Sequence, residues 1–249
     1  MPATVEQRRM PRAALERYLD GLGSGGPGAF TVYLPPVEPG EDPAGPLPDA
    51  LADALRPQVA AVAAASDTGA VLLWDSPTLR LVVPPFPIVE ARLVSDLDLG
   101  PLRAVLASEP VIGVVLVRLG RYAVGVYRGP ALVESKTDRR YVKGRHRAGG
   151  SSANRFRRIR EEQADELFKK VCRTAQERLG PYEGRLQHLF LGGEATTLRG
   201  FRERCPYISR FDGVLRRRVL DVREPGQEAL VGLPRLLWQS DVYEVREAP

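Results

Sequence analysis

The chain has 249 residues, 43% of them hydrophobic and 27% charged, enough apolar material for one large or two small cores and too much for general disorder. No apolar stretch approaches the roughly 20 residues of a bilayer-crossing helix, and residues 1–12 carry charges without the apolar run of a secretion signal, so a cytoplasmic protein is expected. Two cysteines, Cys172 and Cys205, and two histidines, His146 and His188, are too few and too scattered for a disulfide framework, a structural zinc site or a Ser-His-Asp triad; the cysteines are expected as buried thiols, with no metal and no other cofactor.

In chain order, residues 11–22 place Leu15, Tyr18, Leu19 and Leu22 on one helical face. The glycines between Gly21 and Gly28 end that helix; no Gly-Lys-Ser/Thr follows, and the next residues, 30–34, read as a strand, so a phosphate loop is not expected there. Six prolines within 35–48 predict an exposed loop, and an Ala-rich helix over 49–65 follows it. Strands over 70–74 and 79–83 and a short helix over 99–108 complete an α+β region, residues 1–109, of unassigned role. A boundary is expected near Glu109-Pro110. Beyond it, 111–117, 122–127 and 131–137 are apolar or alternating runs parted by short Gly-containing turns, which predicts a three-stranded antiparallel meander. A basic loop over 138–152 leads into a long helix, 154–178, whose apolar residues recur at spacings of three and four. Then come a strand over 186–191, a Gly192-Gly193 turn, a helix over 196–204, a strand over 214–222 and a helical stretch over 227–239. Residues 110–249 are therefore expected as a second α/β (α+β) domain, a mixed sheet covered by helices.

Charge is distributed unevenly. Residues 1–108 carry a net −5, and residues 109–249 a net +10. Ten basic residues and a single acid, Asp138, fall between Lys136 and Arg160. A solvated face would mix signs, so a cluster of one sign points to a polyanion, nucleic acid before anionic membrane. Within the cluster, Gly149-Gly150 lets the backbone approach a ligand closely, Ser151, Ser152 and Asn154 can cap the helix that follows, and free amides at a helix start suit a phosphate or a developing oxyanion.

The segment Gly149-Gly150-Ser151-Ser152-Ala153-Asn154-Arg155-Phe156-Arg157-Arg158-Ile159-Arg160 resembles the Gly-Gly-Gln-Ser-Ala-x-Arg-Phe-x-x-x-Arg segment of eukaryotic and archaeal class-one peptide release factors. The meander before it, the long helix after it and the later Leu189-Phe190-Leu191-Gly192-Gly193-Glu194 turn stand in the order of that factor's central domain, and the resemblance spans about 110–239. The acidic first region does not resemble the stop-codon-reading domain, and the whole is most similar to the Vms-like release factor family in its actinobacterial branch. The resemblance implies a peptidyl-tRNA hydrolase that frees nascent chains on stalled ribosomes, with the large ribosomal subunit and peptidyl-tRNA as partners and no membrane association. It implies catalytic roles for Gly149, Gly150, Ser151 and Ser152. Arg139, Arg140, Lys143, Arg145, His146, Arg147, Arg155, Arg157 and Arg158 would contact tRNA or ribosomal RNA. Ser151 stands where release factors have glutamine, and Ser152 does so in the Gly-Gly-Ser-Gln register typical of Vms-like factors; either way the loop has no glutamine side chain.

Two other readings stay open at this point: a non-catalytic ribosome- or tRNA-binding factor, and a nuclease cutting tRNA near its 3′ CCA end with Ser151, Ser152 or His146. A metal-dependent nuclease is not expected, because Glu134, Asp138 and Glu194 are scattered. Tyr141 is a candidate for stacking on a base, while Phe156 reads as a core anchor. Glu161, Glu162, Asp165 and Glu166 are expected to pair along the helix with Lys169 and Lys170. Oligomeric state is not legible.

Overall fold

The computed structural model describes residues 4–37, 47, 48, 51, 53, 55–139 and 151–246, with the backbone alone at 4, 151–154, 156, 157 and 246. The chain divides into two compact units, Met1–Ser108 with Arg235–Pro249, and Glu109–Pro234. The break after Ser108 adjoins the expected boundary. The last fifteen residues go to the first unit, whereas the sequence reading assigned all of 110–249 to the second domain.

The first unit is built on β1 (Thr4–Met10), α1 (Arg12–Asp20), β2 (Phe30–Leu34), α2 (Arg56–Ala65), β3 (Ala70–Asp75), β4 (Thr78–Val83), β5 (Arg92–Val94) and α3 (Gly100–Ala107). With β10 (Ser240–Arg246) from the chain end, its strands form one antiparallel sheet in the order β1-β10-β4-β3-β2-β5. Period-two alternation sends Val71, Leu73 and Val82 to the face covered by Leu15, Leu19, Leu102 and Leu106 of α1 and α3. Leu72, Leu79 and Leu81 go to the other face, with Val59 and Ala63 of α2. Both faces are buried, which is why β3 is apolar from Ala70 to Trp74. The helix expected over 49–65 is shorter in the structure, and β1, β5 and β10 are strands that the sequence reading did not anticipate.

In the second unit, β6 (Val111–Arg118), β7 (Arg121–Arg128) and β8 (Ala131–Arg139) form the expected meander, and β9 (His188–Gly193) lies parallel to β6, giving the order β8-β7-β6-β9. This is the mixed sheet of the sequence reading. Helix α4 (Ser151–Leu179) crosses one face, and Gly180-Pro181 stops it. Val115, Val117, Tyr122, Val124 and Val126 meet Leu167, Phe168, Val171 and Leu179 of α4, together with Leu198 and Phe201 of α5 (Ala195–Arg204) and Ile208 of α6 (Pro206–Ser209). Gly193 turns the chain from β9 into α5 at φ +137°, and a Cβ there would lie 2.1 Å from the Val117 carbonyl oxygen, so only glycine serves. The strand expected over 214–222 is instead an irregular segment with two isolated parallel bridges to β9, Leu189 to Leu215 and Gly192 to Leu220. The helix expected over 227–239 is broken at Pro234 into α7 (Gln227–Gly232) and α8 (Pro234–Leu237).

The cysteines are not free thiols. Cys172 of α4 and Cys205, at the α5–α6 joint, form a disulfide across a separation of 33 residues. Neither spacing nor composition signals this pair; the packing of α5 on α4 creates it.

Candidate nucleic-acid interface

Helix α4 runs antiparallel to β8, and its ion pairs with that strand fix its register. Arg178 pairs with Glu134 at 3.3 Å, and Lys170 with Asp138 at 2.5 Å near the strand end. Lys170 is therefore level with the edge of the sheet, and the helix goes on for nineteen residues toward its own start at Ser151. Burial follows the same division. Leu167, Phe168, Val171, Ala175 and Leu179 are buried, whereas Arg155, Arg158, Glu161 and Glu162 are exposed. At 1.5 Å per residue, the stretch from Ser151 to Gln163 is an arm of about 18 Å preceding Ala164, from which the described residues of the helix pack on the core.

The root of this arm is fastened from several sides. Gly200 lets α5 approach α4 so closely that a Cβ there would sit 3.0 Å from the Phe168 ring, and Phe168 and Phe201 meet at 6.3 Å between centroids. Arg204 lies over the Phe168 ring at 5.9 Å and pairs with Asp165. The Tyr122 and Thr174 hydroxyls share a buried hydrogen bond of 2.9 Å, and the Cys172–Cys205 disulfide joins the same two layers. For three charged residues of α4 the partner differs from the one expected within the helix. Lys170 takes Asp138 from β8, Asp165 takes Arg204 from α5, and Glu162 takes Arg158 at 3.0 Å.

The electrostatics of the tip follow from these pairs. Asp138, the only acid in the cationic run, accepts a hydrogen bond from Lys170 and another from the Arg139 backbone N–H at 2.7 Å, which holds its carboxyl below the usual range. Its charge is thus committed at the arm's root rather than offered to the tip. No acid occupies the first turn of α4. Backbone amides in that turn have no carbonyl four residues earlier in the helix, so the positive end of the macrodipole coincides with Ser151 and Ser152. Arg158 and Glu162 are 83% and 62% exposed, and such a pair is worth at most about 0.5 kcal/mol, too little to withhold the guanidinium from a phosphate.

Of the expected site residues, Arg139 lies exposed at the end of β8, and Arg155 and Arg158 lie exposed on the arm. Ser151 and Ser152 are the first two helical residues, and Arg157 follows in the second turn. Gly149, Gly150, Arg140, Lys143, Arg145, His146 and Arg147, with Tyr141, lie outside the described residues. Gln163 is in the same helix, about 18 Å along it from Ser151. His188 is buried at the start of β9. Among the described residues, no three His, Cys, Asp or Glu side chains group as metal ligands, and no helix is long and apolar enough to cross a membrane.

A family model for the Actinobacteria/Chloroflexi VLRF1 release factor matches residues 110–243, more than half of the chain. The chain belongs to that family. The match takes in the whole second unit from Pro110 and ends inside β10. Among curated proteins, the chain is similar to peptide chain release factor subunit 1 of Archaeoglobus fulgidus, 33% identical over 119 residues, which are 48% of this chain and 29% of that one. The same factor of Thermococcus kodakarensis is 29% identical over 175 residues, 68% of this chain and 41% of the relative. The VLRF1-family chain thus spans less than half the length of these relatives. Among solved structures, the archaeal translation termination factor aRF1 aligns with a TM-score of 0.40 at 21% identity, covering 89% of this chain and 68% of that one. The Vms1 mitochondrial localization core aligns with a TM-score of 0.40 at 11% identity, covering 72% and 76%.

Proposed function

We propose that this chain is a rescue-type release factor that hydrolyses peptidyl-tRNA on stalled ribosomes, with the Gly149-Gly150-Ser151-Ser152 loop meeting the ester at the tip of the α4 arm. The observation that carries this reading is the start of α4 at Ser151, on an arm where Arg155 and Arg158 are exposed and whose first turn holds no acid. In the reaction, water adds to the ester carbonyl and the bond to the tRNA 3′ oxygen breaks. The peptide leaves as a carboxylate and the tRNA recovers its 3′-hydroxyl. Negative charge builds first on the carbonyl oxygen and then on the leaving oxygen, so a donor aimed at either lowers the barrier. A backbone N–H at position 151 is such a donor whichever side chain it carries, so serine in place of glutamine removes a water-positioning group and keeps the oxyanion donor. Water placement then falls to the tRNA 2′-hydroxyl and the large ribosomal subunit.

Arg139, Arg155 and Arg158, with Arg140, Lys143, Arg145, His146, Arg147 and Arg157, would hold the phosphates of the acceptor end and of ribosomal RNA, contacts that position without reading sequence. A reach of about 18 Å lets the loop enter a narrow cleft that excludes the rest of the domain.

The test is a single-turnover assay on stalled ribosome–nascent chain complexes, resolving peptidyl-tRNA, free peptide and tRNA length. Peptide release with full-length tRNA, lost in Gly150→Ala, is expected, and a Gly150→Ala variant as active as wild type overturns it. The lack of glutamine in the loop favours one second reading, a factor that binds stalled ribosomes without cleaving the ester; ribosome binding with no release by the wild-type chain would establish it. Shortened tRNA would move the activity to a nuclease near the CCA end.

A further inference from the structure

The second unit carries a cleft that the hydrolase reading does not use. Its volume is about 470 Å³, and Leu191, Leu198, Leu215 and Val219 form much of its floor. Arg202, Arg216 and Arg217 stand around it, as does Ala195, the first residue of α5. We propose that this cleft is a second RNA contact: it takes an unpaired nucleotide of a single strand, the base against the apolar floor and the flanking phosphates on the arginines.

Three observations support RNA as the occupant. The volume suits one nucleoside and is too small for the apolar face of a partner helix. Between Ala195 and Arg223 there are eight arginines and three carboxylates, a second cationic concentration separate from the arm. Asp212, the one acid lining the cleft, lies 3.6 Å from Arg202 with both side chains more than half exposed, a screened pair from which a phosphate can take the guanidinium. Val219, 51% exposed, leaves part of the floor in water until a base covers it. The position is also informative. Gly193 at the end of β9 pairs with Val117 at the end of β6, and Arg121 at the start of β7 pairs with Arg139 at the end of β8. The cleft and the strand that feeds the arm therefore sit at one end of the sheet, three strand spacings or about 15 Å apart. A strand held in the cleft passes beside the arm's root within two or three nucleotides.

The inference is independent of hydrolysis, and its test needs neither ribosome nor ester. The full chain is titrated with a labelled 12-nucleotide single-stranded RNA containing 4-thiouridine, read by fluorescence anisotropy and by mapping photo-crosslinks. Crosslinks within 215–219 are expected. Arg217→Glu with Val219→Asp, both at exposed positions, is expected to remove those crosslinks and weaken binding at least tenfold, and Arg217→Ala alone to weaken it a few-fold. Neutralising Arg202, Arg216 and Arg217 together should flatten the log–log salt dependence by about 2, at about 0.7 for each phosphate no longer neutralised. Crosslinks confined to 155–160, or wild-type affinity in the double variant, overturn the proposal. AMP that displaces the RNA while binding as tightly also overturns it, in favour of a mononucleotide site.

Discussion

The two halves of α4 are one continuous helix built to opposite rules. The inner half, from Ala164 to Leu179, repeats apolar residues every three or four positions and is fixed by a disulfide, an aromatic pair, a buried hydroxyl pair and three ion pairs to neighbouring elements. The outer half, from Ser151 to Gln163, bears four arginines, and the one ion pair described within it, Arg158–Glu162, is solvent-exposed. Propagation from a formed nucleus matters here, because an isolated helix of this length is marginally stable in water. The anchored half supplies that nucleus, so the tip can be chosen for charge and approach rather than for packing. Changes at the root should therefore act on folding, and changes at the tip on the ligand.

The largest effect is expected at the root. Phe168→Ala removes a buried ring that touches Phe201 and supports Arg204, and should destabilise the protein by about 3–5 kcal/mol in denaturant melts. Reduction of Cys172–Cys205 should cost about 3 kcal/mol, because the bridge restricts a 33-residue stretch of the unfolded chain; equal melts with and without dithiothreitol would show that the bridge contributes nothing. At the tip, Gly150→Ala should lower peptide release at least a hundredfold, about 2.7 kcal/mol of barrier, with an unchanged melting temperature. If it unfolds the protein instead, the division between root and tip fails. Smaller still is Arg155→Ala with Arg158→Ala. With two fewer phosphates neutralised, the salt dependence of ribosome binding should flatten by about 1.5 on a log–log plot, with stability altered by less than about 0.5 kcal/mol.

The same contrast explains what the sequence disclosed. Elements whose two faces differ were legible: the inner half of α4 through its three-and-four spacing, and the meander through apolar runs separated by Gly-containing turns. Strand β1 was not, because Thr-Val-Glu-Gln-Arg-Arg-Met is an edge strand with Val5 half-exposed, and its only pairing, to β10, spans more than 230 residues. The residues after Val214 mislead in the other direction. Leu215, Val219 and Leu220 give the run strand character, yet only isolated bridges, at Leu215 and Leu220, pair it with β9. The cationic run was legible at the site as composition, whereas the arm was not. Its projection depends on Lys170 pairing with Asp138 and on α5 closing over Phe168, contacts between segments about 30 residues apart. The Arg216-Arg217-Arg218 run was visible in the sequence, but the apolar floor beside it comes from β9 and α5, so only the fold makes it a cleft.

Asp138 stands where root and tip meet, and its substitution should move the two properties in opposite directions. In the folded chain Lys170 and the Arg139 amide hold its carboxyl below the ordinary value. The contribution is therefore present above the unfolded pKa of about 3.9 and is lost as pH falls through the lower folded value. Since the pair is partly exposed and screened by solvent, that contribution is about a few tenths of a kcal/mol. Asp138→Asn should make the melt slightly less stable at pH 7 and indistinguishable from wild type near pH 2. It also deletes the only negative charge between Lys136 and Arg160 and releases Lys170 beside Arg139. RNA affinity at low salt should then rise about twofold, an increase that 0.3 M salt abolishes by screening. A variant that loses RNA affinity would show instead that Asp138 acts chiefly by holding the arm in place, and that the cations of the tip depend on the root for their position as much as for their helix.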